Sequence, residues 1–219
     1  KFASKFAGTR IPTFEEALDV VKDKESLYCY EMKVTGMAKR TADIILAKGM
    51  EKQGIVQSFI LGELKKMRVY APQITCMYLS ANSSVSEIKR NIDSAAAYGI
   101  EYYASGNFAT DMLIDYAHQK GIKYWVYTID DTASMYKLMR TNIDGIFTNR
   151  PDMLEGLCKP LIKQSNDTLY ANTNKPSSIQ WKMNGVPMDG ENGVFLKLKQ
   201  TGSYSYESGN ALKCNYESP

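Results

Sequence analysis

Short apolar runs alternate with longer amphipathic stretches along the first 150 or so residues of the chain. Each apolar run is rich in β-branched, aromatic or sulfur-containing side chains and is short enough to be a strand. The pattern therefore predicts six strands. They are Leu27–Val34, Ile55–Phe59, Ile74–Leu79, Ile100–Ala104, Tyr124–Ile129 and Gly145–Thr148.

The amphipathic stretches between these runs carry the signals of helices. Thr13 with Glu16, and Ser84 with Glu87, have the spacing of capping boxes, in which each side chain satisfies a free backbone N–H of the first turn. Pro151 stands where proline is favoured, at the first position of a helix. The sequence therefore predicts a helix before the first strand and a helix after each strand.

A regular alternation of strands and helices indicates a parallel sheet with right-handed crossovers. Such a sheet forms either a doubly wound open fold or a (β/α)8 barrel. No glycine-rich phosphate loop follows any predicted strand, which weakens the nucleotide-binding open fold. A barrel needs eight strands in about 250 residues. Six are found here, and we expect the other two to precede Lys1.

The pattern changes after residue 158. Residues 159–176 are polar and rich in Asn and Ser, and we interpret them as a linker. Residues 177–219 form a small β-rich tail, in which Ile179–Met183 and Val194–Leu198 alternate in polarity and Asn184-Gly185 signals a tight turn. The tail faintly resembles part of an immunoglobulin-like domain, which would bind a carbohydrate or a protein partner, although the Cys-Trp-Cys spacing is missing.

Composition excludes several functions. The chain has 219 residues, of which 44% are hydrophobic and 23% charged, with a formal charge of +3, as in an ordinary globular protein. The weak charge gives no reason to expect a nucleic-acid partner, and no apolar run approaches the roughly 20 residues of a transmembrane segment. Cys29 and Cys76 are expected to be buried in strands, whereas spacing cannot decide whether Cys158 and Cys214 pair.

The first predicted strand carries two opposite charges, Glu31 and Lys33, on one side. Strands flanked by helices are normally buried on both faces, so these two groups must be paired or functional. They form either a structural ion pair or part of a site. The single histidine, His118, is expected at the C-terminal end of a helix, where its positive form would interact favourably with the helix dipole.

Several segments together resemble one known family. They are Phe6–Glu16, Glu31–Lys33, Val56–Phe59, Tyr127–Asp131 and Asp144–Pro151. In this order and at these distances they are similar to the later part of a glycerophosphodiester phosphodiesterase domain. The resemblance implies a TIM-type (β/α)8 barrel lacking its first two strands in this chain, over residues 1–158.

The resemblance also implies roles for particular residues. Glu31 corresponds to a ligand of a divalent metal, Ca²⁺ or Mg²⁺, and Lys33 to the catalytic cation that faces the phosphate. Tyr127 stands where the family commonly has a tryptophan that contacts the substrate, and Trp125 lies on the same strand face. Packing alone would explain both aromatic residues equally well. Gln57 and Phe59 fall in the strand that would bind substrate. Asn149 departs from the family pattern, because aspartate is usual at its position.

The implied activity is hydrolysis of a glycerophosphodiester to an alcohol and glycerol 3-phosphate. The family's two histidines and its second-strand carboxylates fall before Lys1, so we expect the 219 residues alone to be inactive. The alternative is a non-catalytic relative in which the barrel serves as a scaffold or binding module. The polar, β-rich tail favours an extracytoplasmic location.

Overall fold

The computed structural model describes residues 7–24, 27–139, 141–158, 161–172 and 179–208. They divide into two compact units, one containing the residues up to Leu79 with Ala95–Glu101, and the other Ser80–Ser94 with the residues from Tyr102 onward. The helices are α1 (Phe14–Val21), α2 (Ala38–Ala47), α3 (Leu61–Tyr70), α4 (Val85–Ala97), α5 (Asp111–Gln119), α6 (Thr132–Met139) and α7 (Pro151–Cys158). The strands that alternate with them are β1 (Tyr28–Glu31), β2 (Gly54–Ser58), β3 (Thr75–Ser80), β4 (Tyr102–Ser105), β5 (Lys123–Val126) and β6 (Gly145–Ile146).

In the first unit β1, β2 and β3 pair in parallel. Tyr30 lies opposite Val56, and Val56 lies opposite Cys76. Residues in register point to the same face of a parallel sheet, and the Tyr30 ring stacks on Phe14 of α1 with 3.9 Å between ring centroids. The helices therefore cover this face, and Glu31 and Gln57 project from the other.

The predicted burial of the first strand on both faces is only half right. Tyr28 is buried, as is Cys76 on β3, which confirms the expectation for that cysteine. Cys29, by contrast, is exposed, and so is Lys33. Within the described part of the chain β1 pairs with β2 alone and is therefore an edge strand, and its face with Cys29 is more exposed than its face that packs on α1.

In the second unit β4, β5 and β6 also pair in parallel. Tyr103 lies opposite Tyr124, and both are fully buried, with their rings edge to face at 5.3 Å. Trp125 lies opposite Gly145 on the other face. The regular strand ends at Val126, which is earlier than the sequence predicts, so that Tyr127 lies just beyond β5.

The linker predicted for residues 159–176 is replaced, where the structure describes it, by a hairpin of β7 (Leu161–Ser165) and β8 (Thr168–Asn172). Four strands follow: β9 (Ile179–Met183), β10 (Val186–Pro187), β11 (Phe195–Lys197) and β12 (Tyr204–Ser208). β8 is paired on one side with β7 and on the other with β11, and pairing of this kind cannot be seen in the polar composition of the segment.

The strands after α7 form two antiparallel sheets, in the orders β10-β9-β12 and β11-β8-β7. Their shared core consists of Leu169, Ile179, Trp181, Leu196 and Tyr206. The predicted turn is present, because Asn184 and Gly185 both have positive φ between β9 and β10. The β-rich character of the tail is confirmed, and its identity as a separate or immunoglobulin-like domain stays a prediction.

Two further expectations concern single residues. His118 lies in the last turn of α5, as predicted, with Nε2 2.7 Å from Asp144 Oδ2. The same Asp144 oxygen accepts a hydrogen bond from the backbone N–H of Tyr124, so the histidine is tied to the start of β5 and β6. The pairing considered for Cys158 and Cys214 lies outside what the structure describes. Among the described helices, none has the length and apolar character needed to cross a membrane.

Candidate active site

Glu31 and Lys33 lie together at the carboxyl end of β1. Glu31 is the last residue of the strand, and Lys33 Nζ lies 2.9 Å from Glu31 Oε2. The Glu31 side chain is 23% exposed and the Lys33 side chain 73% exposed. The two charges are therefore paired, which is one of the two alternatives that the sequence leaves open. The pairing also leaves the lysine reachable for an anion, since its ammonium lies largely in solvent.

Gln57 is the neighbour of Glu31 on β2. The two residues are in register, and the backbone N–H of Met32 continues the ladder by donating to the Gln57 carbonyl at 2.9 Å. The side-chain oxygen Oε1 of Gln57 is buried and has no hydrogen-bond partner among the described residues. A buried acceptor without a donor is costly, so this oxygen is suited to a ligand. Phe59 lies past the end of β2 and is 46% exposed.

The donor atoms near Glu31 are of the kind that hard cations prefer. The Glu31 carboxylate and the unpartnered amide oxygen of Gln57 are both oxygen donors, as Ca²⁺ and Mg²⁺ require. The described part of the chain contains no group of three or more His, Cys, Asp or Glu side chains placed to hold a metal. The oxygen atoms of Glu31 and Gln57 are therefore donors of a type that fits a divalent cation.

Two residues that the sequence reasoning missed hold the segment around Lys33. Ser58 Oγ donates to the carbonyl of Met32 at 2.7 Å, and Glu63 Oε2 accepts from the backbone N–H of Ala38 at 2.9 Å. Burial would raise the pKa of Glu63, but hydrogen bonds from Lys66 and from the backbone of Gly36 and Ala38 lower it to about 2. The sequence shows only that Glu63 is an acidic residue in the first turn of a helix, and nothing in it indicates that the side chain is buried.

Trp125 lies on β5 in the second unit, and Tyr127 lies just beyond the end of that strand. The Trp125 ring packs between Tyr102, at 5.8 Å, and Phe147, at 5.2 Å. Its Nε1 is buried and has no hydrogen-bond partner among the residues that the structure describes. Tyr127 Oη donates to the carbonyl of Ser80 at 2.7 Å, where β3 ends. Packing explains most of these contacts, but it does not explain the unpartnered indole N–H.

Asn149 closes the loop that follows β6. Its backbone N–H and its Nδ2 donate to the two carboxylate oxygens of Asp130, at 2.7 and 2.9 Å. Thr148 Oγ1 donates to the same carboxylate at 3.1 Å. The hydrogen bonds from Asn149, chiefly that of its side chain, lower the pKa of Asp130. Asn149 thus acts as a hydrogen-bond donor to Asp130, a role that a carboxylate side chain at this position would not have, because it would repel Asp130.

Two depressions in the surface are not lined by any of the predicted site residues. One, of about 500 Å³, borders the loop after Lys33 and is lined by Tyr30, on the face of β1 opposite to Glu31. The other, of about 690 Å³, lies among the strands that follow α7. Its uncharged polar groups come from Gln164, Gln200, Ser203 and Tyr204. Neither has the geometry of the predicted site, and the second has no charged side chain that would bind a phosphate.

The model of the glycerophosphoryl diester phosphodiesterase family matches residues 2–153. The chain belongs to this family. A glycerophosphodiester phosphodiesterase of Caldanaerobacter subterraneus subsp. tengcongensis is 26% identical over 167 residues, which cover 73% of this chain and 66% of that protein. The chain therefore spans slightly less than two thirds of the length of this curated relative.

Solved structures of the family share the fold. A crystal structure of a phosphodiesterase of this type from Silicibacter pomeroyi superposes with a TM-score of 0.60 at 20% identity, covering 68% of this chain and 56% of that one. A phosphodiesterase of Oleispira antarctica in complex with the product sn-glycerol-3-phosphate superposes with a TM-score of 0.56 at 18% identity, covering 67% and 60%. The TIM-type barrel predicted from the sequence is thereby confirmed, and the doubly wound alternative is excluded.

Proposed function

We propose that the chain provides the phosphate-binding lysine and part of the metal site of an enzyme that hydrolyses glycerophosphodiesters to an alcohol and glycerol 3-phosphate. The observation that carries the proposal is the Glu31–Lys33 pair at the carboxyl end of β1, in a chain of this family. Active sites of β/α barrels are built at that end of the strands. The glycerol-3-phosphate complex of the Oleispira protein supports the same substrate class.

In this proposal Lys33 releases Glu31 and binds the phosphodiester. The ammonium is a compact point charge on a long stem, so it can follow the phosphate as negative charge develops on its oxygens. Glu31, no longer paired with Lys33, and Gln57 would hold a divalent cation through their oxygens. When bound, such a cation neutralises phosphoryl oxygens and lowers the pKa of a coordinated water.

In the second unit, considered by itself, Trp125 and Tyr127 are the residues that we propose to contact a glycerol group. The indole N–H of Trp125 is a buried donor suited to a hydroxyl or phosphate oxygen, and Tyr127 is held by Ser80 in a fixed orientation. Hydrolysis breaks the bond between phosphorus and the alcohol oxygen. The oxygen of the attacking water forms the new bond to phosphorus, and a proton from that water is transferred to the departing alcohol oxygen. We assign no acid–base role to His118, because Asp144 holds it at the end of α5.

The test is hydrolysis of glycerophosphocholine by the full-length gene product that contains this chain, measured as release of glycerol 3-phosphate. We expect activity that a chelator abolishes and that Ca²⁺ or Mg²⁺ restores. Lys33→Ala and Glu31→Ala should each remove most of the activity. Lys120→Ala is the matched control, since Lys120 forms a surface ion pair with Asp93 at 3.1 Å in the second unit.

The alternative, a non-catalytic scaffold, makes a different prediction for the same assay. It requires that the full-length protein release no glycerol 3-phosphate with any of these metals. Activity that is insensitive to Lys33→Ala would also contradict our proposal, because the lysine would then be only the partner of Glu31.

The tail has a second candidate function, favoured by the uncharged lining of its depression. Amide and hydroxyl groups beside Tyr204 and Leu198 are suited to a neutral, hydroxyl-rich ligand such as a carbohydrate. A pull-down on immobilised glycans with the wild-type protein and with Tyr204→Ala tests this. Retention that Tyr204→Ala abolishes supports it, and absence of retention contradicts it.

A further inference from the structure

The segment that carries Lys33 is fixed on its N-terminal side by Ser58. This serine is fully buried at the end of β2, and its Oγ donates to the Met32 carbonyl at 2.7 Å. The same Oγ accepts a hydrogen bond from the backbone N–H of Ile60 at 2.9 Å. The peptide group between Met32 and Lys33 is therefore bound through its oxygen to the junction of β2 and α3.

The C-terminal side of the segment is fixed by Glu63. The Met37 side chain at the start of α2 makes no capping hydrogen bond, so the helix must obtain its cap elsewhere. Glu63, in the first turn of α3 and only 1% exposed, accepts from the N–H of Ala38 at 2.9 Å and also from the backbone of Gly36. Lys66 donates to its other oxygen at 2.7 Å, which balances the buried charge.

Lys33 itself has little that would hold it in place. Its side chain is 73% exposed, and an ion pair with one partner so exposed contributes little to holding that partner in place. The position of the ammonium thus depends on the backbone from Met32 to Ala38. Ser58 and Glu63 bind that backbone on both sides of the lysine, and both come from the strand end and helix start that follow Gln57.

We propose that Ser58 and Glu63 are positioning residues, which bind phosphate indirectly by holding the loop of Lys33 in place. The inference rests on the proposed function, in which Lys33 contacts the phosphate. A preformed loop binds an anion more tightly than a mobile one, because the ordering cost has already been met during folding. Neither side chain needs to touch the substrate.

The experiment is a double-mutant cycle on the full-length protein, with the dissociation constant of sn-glycerol 3-phosphate as the readout. Glu63→Gln keeps one acceptor but loses the charge, and we expect it to weaken binding about three- to tenfold. Ser58→Ala should act in the same direction. In the Lys33→Ala background Glu63→Gln should change the dissociation constant by less than about twofold, because the group that it positions is gone.

Glu101→Gln is the matched control. Glu101 also accepts from a backbone N–H, that of Cys76 at 2.9 Å, and from a cation, Arg68 at 2.8 Å, in the same unit. Cys76 lies near the beginning of β3, away from the carboxyl ends of the strands. Glu101→Gln is expected to lower stability without changing the dissociation constant.

The outcomes separate the two proposals. If Lys33→Ala leaves binding unchanged, the proposed function fails and this inference fails with it. If Lys33→Ala weakens binding but Glu63→Gln and Ser58→Ala do not, the inference alone is wrong. Equal weakening by Glu101→Gln, or an undiminished effect of Glu63→Gln in the Lys33→Ala background, would also overturn it, since the effect would then be one of general stability.

Discussion

Gly145 on β6 lies against the indole ring of Trp125 on β5. A Cβ atom at position 145 would overlap with Cδ2 and Cε2 of that ring. The two residues are in register, so the glycine provides the space that the largest side chain of its neighbouring strand needs. The unpartnered indole N–H of Trp125 therefore keeps its orientation only while position 145 has no side chain.

We expect Gly145→Ala to displace the Trp125 ring. Overpacking of this kind costs about 1–3 kcal/mol, so the free energy of unfolding should fall by that amount. The measurement is denaturant unfolding followed by tryptophan fluorescence. Gly156→Ala is the control, because a Cβ there has nothing within 4 Å and alanine favours the helix α7. Unchanged stability and fluorescence in Gly145→Ala would contradict the packing described here.

Glu63 predicts a specific dependence of stability on pH. Its pKa is lowered from 4.5 to about 2 in the folded state, so folding favours the charged form. The resulting stability is fully present above about pH 4.5 and is lost as the pH falls toward 2. Urea unfolding of the wild type and of Glu63→Gln should differ by about 2 kcal/mol near pH 7, and the difference should shrink below pH 4. A difference that is constant from pH 7 to pH 3 would show that the carboxylate charge is not involved.

Trp181 is the central side chain of the tail. It is fully buried, packs on Tyr206 at 5.2 Å, and donates from Nε1 to the Gly193 carbonyl at 2.8 Å. Trp181→Phe keeps an aromatic ring but loses the hydrogen bond and part of the buried volume of the indole, and should lower the stability of the tail by about 1–3 kcal/mol. Tyr170→Phe, on an exposed ring, should change it by less than about 0.5 kcal/mol. Limited proteolysis between residues 179 and 208 provides the measurement, and equal cleavage of the two variants would refute the prediction.

The sheet order predicts where the chain tolerates shortening. β8 lies between β7 and β11, so a chain ended at residue 176 would keep the hairpin but lose β11 and expose the inner side of Leu169. An unpaired strand edge beside apolar side chains promotes aggregation. We expect that chain to be less soluble than one ended at residue 158. Equal soluble fractions of the two after expression would argue against the pairing of β8 with β11.

Much of the fold could be predicted because its signals are local. Each of the six parallel strands overlaps one of the predicted apolar runs, and the capping box of Thr13 and Glu16 is present at the start of α1. The ends of the strands could not be predicted as well as their presence. Lys33 and Tyr127 fall just beyond the regular strands, although the backbone N–H of Tyr127 still donates to the Ser105 carbonyl of β4 at 2.9 Å.

The hairpin of β7 and β8 could not be predicted, because β8 also pairs with β11, which is distant in sequence, with Phe195 opposite Tyr170. Pairing over such a distance leaves no local pattern. Glu63 and Ser58 were missed for a related reason. Their partners, Ala38 and Met32, are more than 20 residues away in sequence, and a buried hydrogen bond over that distance leaves no periodic pattern. Glu31 and Lys33 could be identified from the sequence alone, because two opposite charges two residues apart are unusual in a run that is otherwise apolar.

The interleaved order of the tail strands has an evolutionary consequence. Because β7 and β8 share a sheet with β11, the unit that a gene rearrangement could transplant intact must include residues 161–172 as well as those from 179 onward. A recombination junction placed at residue 176 would split one sheet between donor and recipient, whereas a junction between α7 and β7 would divide none of the sheets that the described residues form.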